Sequence, residues 1–387
     1  MLTFNNTEIA FKWRTNKDLR RARLLFKTIS WTPLVWLGEK FVRVATTLRI
    51  PIAWLVKPTI FKHFVGGETL QDCQPVILKL AKYKVKSILD YSVEGTGSDK
   101  SQELAFNEIL QSINFASNNP DVPFTVFKPT GLIDVTILTK VSNKENLSTQ
   151  EAEKFNLFKN RVDTLCQASA KIPKPILIDA EDTWYQSALD DVATDMMQKY
   201  NSKHAIVFNT LQMYRVDRLE FLKKSHSHAL ENDYVLGVKF VRGAYMEKER
   251  ERAAKNGYPS PIHPDKQETD KAFDQAQEYA LNNINSISIF SGTHNEESVL
   301  KLVKLMESAG ISHEDPRVTF SQLYGMSDNI SFILAHDGYN VAKYIPYGPV
   351  RHVMPYLIRR AQENTSVKGQ TTRELSLVKK ELQRRSK

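Results

Sequence analysis

The sequence predicts an α/β protein built as a (β/α)8 TIM barrel, with a basic, Trp-rich helical segment over 1–80, the barrel over 81–365 and a basic tail over 366–387. Three observations carry that expectation. Eight short apolar or β-branched runs recur from about Lys84 onward, helical spacing fills the intervals between them, and most of the runs end in polar or charged residues. Short, mostly apolar runs suit strands buried on both faces. Their alternation with helices that carry polar, charged faces indicates βα units and a parallel sheet. Eight such units, over roughly the length a closed barrel takes, fit that architecture better than an open doubly wound sheet.

In chain order the strands are expected at Val85–Leu89, Phe124–Lys128, Ile176–Asp179, Ala205–Leu211, Val235–Val241, Ser286–Phe290, Val318–Ser321 and Val341–Ile345. Helical spacing is plain over Ser148–Cys166 and Asp270–Leu281. No GxGxxG follows an early strand: Glu94-Gly95-Thr96-Gly97-Ser98 lacks the third glycine and a following helix, and both it and Gly66-Gly67 read as turns. Any flavin is therefore expected to be held by something other than a Rossmann domain.

Composition narrows the function classes. Of 387 residues, 41% are hydrophobic and 25% charged, which sets aside disordered, collagenous and coiled-coil readings. The two cysteines, Cys73 and Cys166, form no CxxC, and the nine histidines show no HExxH, so no metal site is expected and a reducing compartment is favoured. The net charge of +9 belongs to the ends: residues 1–70 carry +8 and 366–387 carry +5, leaving the body acidic. Four of the five tryptophans, Trp13, Trp31, Trp36 and Trp54, sit in the basic N-terminal segment. Basic helices with interleaved aromatics suit peripheral contact with an anionic membrane surface; the alternative is a solvated appendage that packs its aromatics on the barrel. No nucleic-acid module accompanies the charge, so no nucleic-acid partner is expected. Charged residues interrupt the N-terminal apolar stretches, as at Lys12, Arg14, Arg43, Arg49 and Lys57, so neither a secretory signal nor a spanning helix is read there.

Active residues of a (β/α)8 barrel stand at the C-terminal ends of its strands and in the loops that follow. The residues in those places are Asp90 and Glu94, Lys128 and Thr130, Asp179 and Glu181, Gln212 and Tyr214, Lys239 and Arg242, His294 and Asn295, Gln322, and Tyr344. One charged strand end is ordinarily a solvated loop residue; seven or eight point to a polar site at the mouth. Lys128 and Lys239 fit either a Schiff-base nucleophile or a cation that neutralises an anionic ligand or reduced flavin, and spacing does not separate these. On a helix, Tyr356, Arg359, Arg360 and Glu363 share one broad face. Two guanidiniums and a phenol suit a carboxylate ligand, whereas a surface Arg/Glu ladder would be worth a few tenths of a kcal/mol per pair.

Five segments then resemble one family in that family's order: Ile178-Asp179-Ala180-Glu181, Val238-Lys239-Phe240-Val241-Arg242-Gly243-Ala244-Tyr245-Met246, Thr293-His294-Asn295, Gln322-Leu323-Tyr324-Gly325-Met326, and Tyr344 through Asn364. Together they look like the proline dehydrogenases, specifically the monofunctional, mitochondrial-like branch. The resemblance implies a distorted barrel with the final helix over its mouth, noncovalent FAD, and oxidation of L-proline to Δ1-pyrroline-5-carboxylate with electrons leaving to a quinone. It implies a location at the inner membrane of a bacterium, on its cytoplasmic side, or in mitochondria. Arg359, Arg360 and Lys128 would bind the proline carboxylate. Tyr245, Leu323, Tyr344 and Tyr356 would wall the ring beside Ala244, with Asp179 in the polar site. Gln212 and Lys239 would contact the flavin ring, Val241, Gly243, His294 and Asn295 other parts of the cofactor, and Glu363 would steady both. Glu94 would pair with an active-site arginine as a gate. Lys239 and Met246 depart from the Arg and Trp of many bacterial members, and Pro129 from the usual β-branched residue. Two rivals remain from the residues alone: a lysine Schiff-base aldolase, and a basic membrane- or RNA-binding protein on an inactive barrel.

Overall fold

The computed structural model describes residues 2–29, 53–92, 97–366 and 370–386, together with Trp36 and Lys40. Eight parallel strands lie in the order β1-β8-β7-β6-β5-β4-β3-β2, the arrangement of a (β/α)8 protein. They are β1 (Lys86–Tyr91), β2 (Thr125–Phe127), β3 (Ile176–Ile178), β4 (Val207–Gln212), β5 (Leu236–Val241), β6 (Ile287–Gly292), β7 (Val318–Leu323) and β8 (Val341–Tyr347). All eight expected runs are strands, with shifted ends. β2 and β3 stop early, so Lys128 and Asp179 are the first residues beyond their strands. β1, β4, β6, β7 and β8 run on past the expected ends, because residues beyond those ends still join the ladder (Asp90↔Pro346, Gln212↔Val241, Gly292↔Ser321).

The chain forms two compact units, Gly95–Ser321 and Met1–Glu94 with Gln322–Lys387. In the first, the helices between strands begin where a short polar side chain can take the free N–H groups. Helix α4 (Asp99–Ser117) is capped by Ser98 and, against expectation, follows the 94–98 segment directly; α5 (Val135–Ser142) is capped by Asp134, and α6 (Thr149–Lys171) by a Ser148/Glu151 capping box. After α7 (Thr183–Tyr200), α8 (Arg218–Glu231) and α9 (Met246–Asn256) come α10 (Lys266–Asn282), capped by Asp265, and α11 (Glu296–Ser308), capped by Asn295. Phe124 meets Phe208 and Phe290 edge-on at 5.8 and 5.2 Å, filling the space near the strand starts.

The second unit holds α1 (Thr7–Phe11), α2 (Asn16–Ile29), helical turns over 53–64, α3 (Leu70–Ala81), α12 (Asp328–His336), α13 (Val350–Ser366) and α14 (Gln370–Arg385). Its core joins Phe11, Phe26 and Phe64 to Val353, Tyr356 and Leu357 of α13 and to Leu377 and Val378 of α14. The expected C-terminal tail is thus a docked helix with an apolar side. Gly66-Gly67 is not a plain turn: Gly67 bridges Tyr347 in parallel and Gly66 N–H donates to Pro346 O at 2.9 Å. A Cβ on Gly67 would stand 2.3 Å from that of Asp72, so the close approach requires glycine. Trp13 packs inward, stacked on Phe332 at 5.1 Å beneath Arg14 and Lys79, whereas Trp36 and Trp54 are exposed. Trp31 lies outside the described residues, among which no helix is long and apolar enough to cross a membrane.

Candidate active site

In the unit formed by Gly95–Ser321, β2, β3, β4 and β5 bring three predicted residues together. The Lys239 ammonium donates to the Asp179 carboxylate at 2.6 Å, and the Lys128 ammonium stands 3.6 Å from its other oxygen. The backbone fixes this: Asp179 N–H donates to Phe127 O, and Lys239 pairs in register with Thr210. One carboxylate thus lies between two ammoniums, with the Glu181 carboxyl also within electrostatic reach of Lys128. On β4, Gln212 is buried and its Oε1 has no hydrogen-bond partner. A buried amide oxygen in that state calls for a donor, from ordered water or from a ligand.

The loop after β5 carries the remaining predicted residues of this unit. Gly243 has φ +127°, and a Cβ there would fall 2.6 Å from the Tyr214 ring, so the backbone must stay bare. Ala244 is exposed and Tyr245 half-buried. Val241 and His294 are half-buried. Asn295 Oδ1 accepts from Glu297 and Ser298 N–H as the cap of α11, a structural duty that motif reading alone does not disclose.

Two residues outside the predicted set hold this arrangement. Arg242, stacked on Phe273 at 4.4 Å, donates to Asp270 at 2.6 Å, Thr293 at 2.5 Å and Ser298 at 2.8 Å. It thereby ties the loop after β5 to the loop that carries His294. Glu181 accepts from both the N–H and the hydroxyl of Thr130, at 2.9 and 2.6 Å, and so holds the turn that follows Lys128. Both stand out in the sequence as polar residues just past a strand, as do Thr130 and Thr293, but which of them pair does not, nor do the partners Asp270 and Ser298.

Burial pushes the Glu181 carboxyl up to about 7, against the lowering pull of the Thr130 bonds and Lys128. A folded-state value above the unfolded one favours folding while the group is protonated, and that contribution is lost as pH rises through 7. Glu181→Gln preserves the pair, since its oxygen can accept the Thr130 N–H and its amide can donate to the hydroxyl. It is expected to flatten the fall in urea-measured stability between pH 5 and 8 by up to about 3 kcal/mol. An unchanged slope would contradict this placement.

In the other unit, Leu323 at the end of β7 and Tyr356 of α13 join one apolar cluster. Tyr344, on β8, is buried, and its carbonyl accepts from Tyr324 N–H at 2.9 Å. Arg360 is only 8% exposed and lies 5.1 Å over the Tyr356 ring, while Arg359 is half-buried. An arginine so buried is no rung of a surface ladder. Glu94 and the Glu363 side chain lie outside the described residues.

Strand-end lysines about a carboxylate, with the buried Gln212 on the neighbouring strand, form a polar cluster at the end of a (β/α)8 barrel where active residues of that fold stand. The sequence model for proline dehydrogenase matches residues 73–373. The chain is 34% identical to proline dehydrogenase 1, mitochondrial, of Dictyostelium discoideum, over 90% of its own length and 69% of the relative's. It is 31% identical to hydroxyproline dehydrogenase of Xenopus laevis over 97% and 88% of the two lengths. A crystal structure of proline utilization A (PutA) from Bdellovibrio bacteriovorus, 22% identical, superposes with a TM-score of 0.74 over 93% of this chain and 38% of that longer one, a likeness of fold. The chain belongs to the proline dehydrogenase family and is an oxidoreductase of that kind.

Proposed function

We propose that the protein oxidises L-proline to Δ1-pyrroline-5-carboxylate with noncovalently bound FAD and passes the electrons to a quinone. The flavin supplies the two-electron acceptor when bound. Residues of the Gly95–Ser321 unit suit such a group: the Gln212 oxygen needs a donor, Gly243 leaves its backbone bare, and Lys239 carries a positive charge. Lys239 favours anionic charge on the ring; Val241, His294 and Asn295 serve its remaining parts. Arg359, Arg360 and Lys128 take the substrate carboxylate, while Leu323, Tyr344, Tyr356, Tyr245 and Ala244 shape the space for its ring. Holding a small rigid ring by its carboxylate and its faces removes orientational freedom before the reaction, a contribution of several kcal/mol. Asp179, shared between two lysines, keeps both cations in place. Glu94 and Glu363 complete the arginine side of the site.

The observation that carries this reading is the buried Arg360 over Tyr356, a guanidinium held away from water on the helix to which the resemblance assigns the carboxylate. The exposed Trp54 and the basic N-terminal segment fit peripheral association with an anionic membrane, where a quinone acceptor resides. The purified protein is expected to show flavin absorbance bands that bleach on adding proline; a colourless protein whose substrate is trapped by borohydride would favour the aldolase instead. Because one relative is named a hydroxyproline dehydrogenase, the same titration with hydroxyproline decides between the two ring substrates.

A further inference from the structure

Behind Leu323 lies a buried set of charges that the site described above does not use. The loop from Leu323 to Ser327 turns sharply: Gly325 has φ +83° and Ser327, not a glycine, sits in the left-handed region at φ 49°. Such a backbone persists only where its surroundings hold it. Three groups do so here, and a fourth anchors one of them. The Lys343 ammonium, on β8 next to Tyr344 and 0% exposed, donates to Met326 O and, at 3.4 Å, to Leu323 O. The His63 ring donates its Nε2–H to Gly325 O at 2.9 Å. Glu374, from the C-terminal helix α14, accepts the Ser327 N–H. Asp328, at the first turn of α12, pairs with Lys343 at 3.2 Å and with Arg14 at 2.7 Å.

These contacts tie together parts of the chain more than three hundred residues apart. Burying two cations and two carboxyl groups is costly unless each is paired, so an arrangement of this kind is an exacting way merely to close a core. What Lys343, His63 and Glu374 grip is the loop that begins with Leu323, while Asp328 and Arg14 hold Lys343 in place from behind. We infer that Glu374 and Lys343 are positioning residues for Leu323, so that the C-terminal helix sets how tightly the site holds its ring substrate. The inference rests on the reading that Leu323 walls the proline ring.

The test uses the full-length holoenzyme. Glu374→Ala should raise the KM for proline about tenfold, the size of one lost hydrogen bond to a charged group, with kcat changed less than about twofold. Amide exchange should accelerate over 322–329 and stay near the parental rate elsewhere. Glu374→Gln, whose amide oxygen can still accept the Ser327 N–H, should recover most of the KM. Leu323→Ala serves as the control for the substrate reading. If Leu323→Ala raises KM and Glu374→Ala does not, the positioning role is overturned while the substrate reading stands. It is overturned as well if exchange quickens across the whole chain and kcat falls with it. If Leu323→Ala leaves KM unchanged, the substrate reading fails, and exchange over 322–329 alone decides whether Glu374 holds the loop.

Discussion

Arg360→Met is expected to raise the KM for L-proline by about two orders of magnitude, with kcat reduced far less. A charge-assisted bond to a carboxylate contributes up to about 3 kcal/mol, and roughly each 1.4 kcal/mol is a factor of ten. That contact exists before the reaction as much as during it, so its loss falls on KM. Burial divides the pair: Arg360 is 8% exposed and held against Tyr356, while Arg359 is half-buried. A solvated guanidinium contributes less, so Arg359→Met should cost nearer tenfold. Methionine keeps the apolar stem and the helix propensity of arginine, and flavin content measured on each variant separates lost substrate binding from lost cofactor. A parental KM in both variants would sink the clamp.

The strand pattern was legible because each buried run is short, apolar and followed by polar residues, and that local signal survives whatever the rest of the chain does. Lys128, Asp179 and Lys239 could be picked out as strand-end residues, and the register of parallel strands then brings them to one carboxylate. Their exact place was not legible: β2 and β3 stop before Lys128 and Asp179. Partnership is harder still. Lys343 lies within the apolar run of β8, and nothing in its neighbours announces Asp328, fifteen residues before it, as its counter-charge. The sequence shows 366–387 only as a basic tail, yet Glu374 and Glu381 are buried with Leu377 and Val378 on the side that docks. Net charge reports the outward face of such a helix; its inward face depends on contacts with α1, α2 and α13, far away in sequence. Arg359 and Arg360 show the limit of helical spacing, which allows a ladder and a clamp equally; the burial of Arg360 argues against a surface ladder there.

Asp179 and Lys239 should behave as a pair whose single losses harm the protein more than their joint loss. Their contact is 2.6 Å, with side-chain exposures of 14% and 8%, and Lys128 lies on the other side of the same carboxylate. Removing one partner of a buried pair leaves an uncompensated charge and costs about 3–5 kcal/mol. Asp179→Ala leaves two ammoniums facing each other; Lys239→Ala leaves Lys128 with the carboxylate. In urea unfolding of the flavin-free protein, both single variants should be destabilised, Asp179→Ala more, and the double variant should recover part of the loss. In the flavin-loaded protein the two singles should move the reduction potential in opposite directions. Removing the carboxylate makes the surroundings more positive and raises it; removing the ammonium lowers it. For a two-electron couple about 1.4 kcal/mol corresponds to roughly 30 mV, so shifts of that order are measurable. Potentials that move together, or not at all, would place the pair away from the flavin ring, whereas additive stability losses would mean that the 2.6 Å contact contributes nothing as a pair.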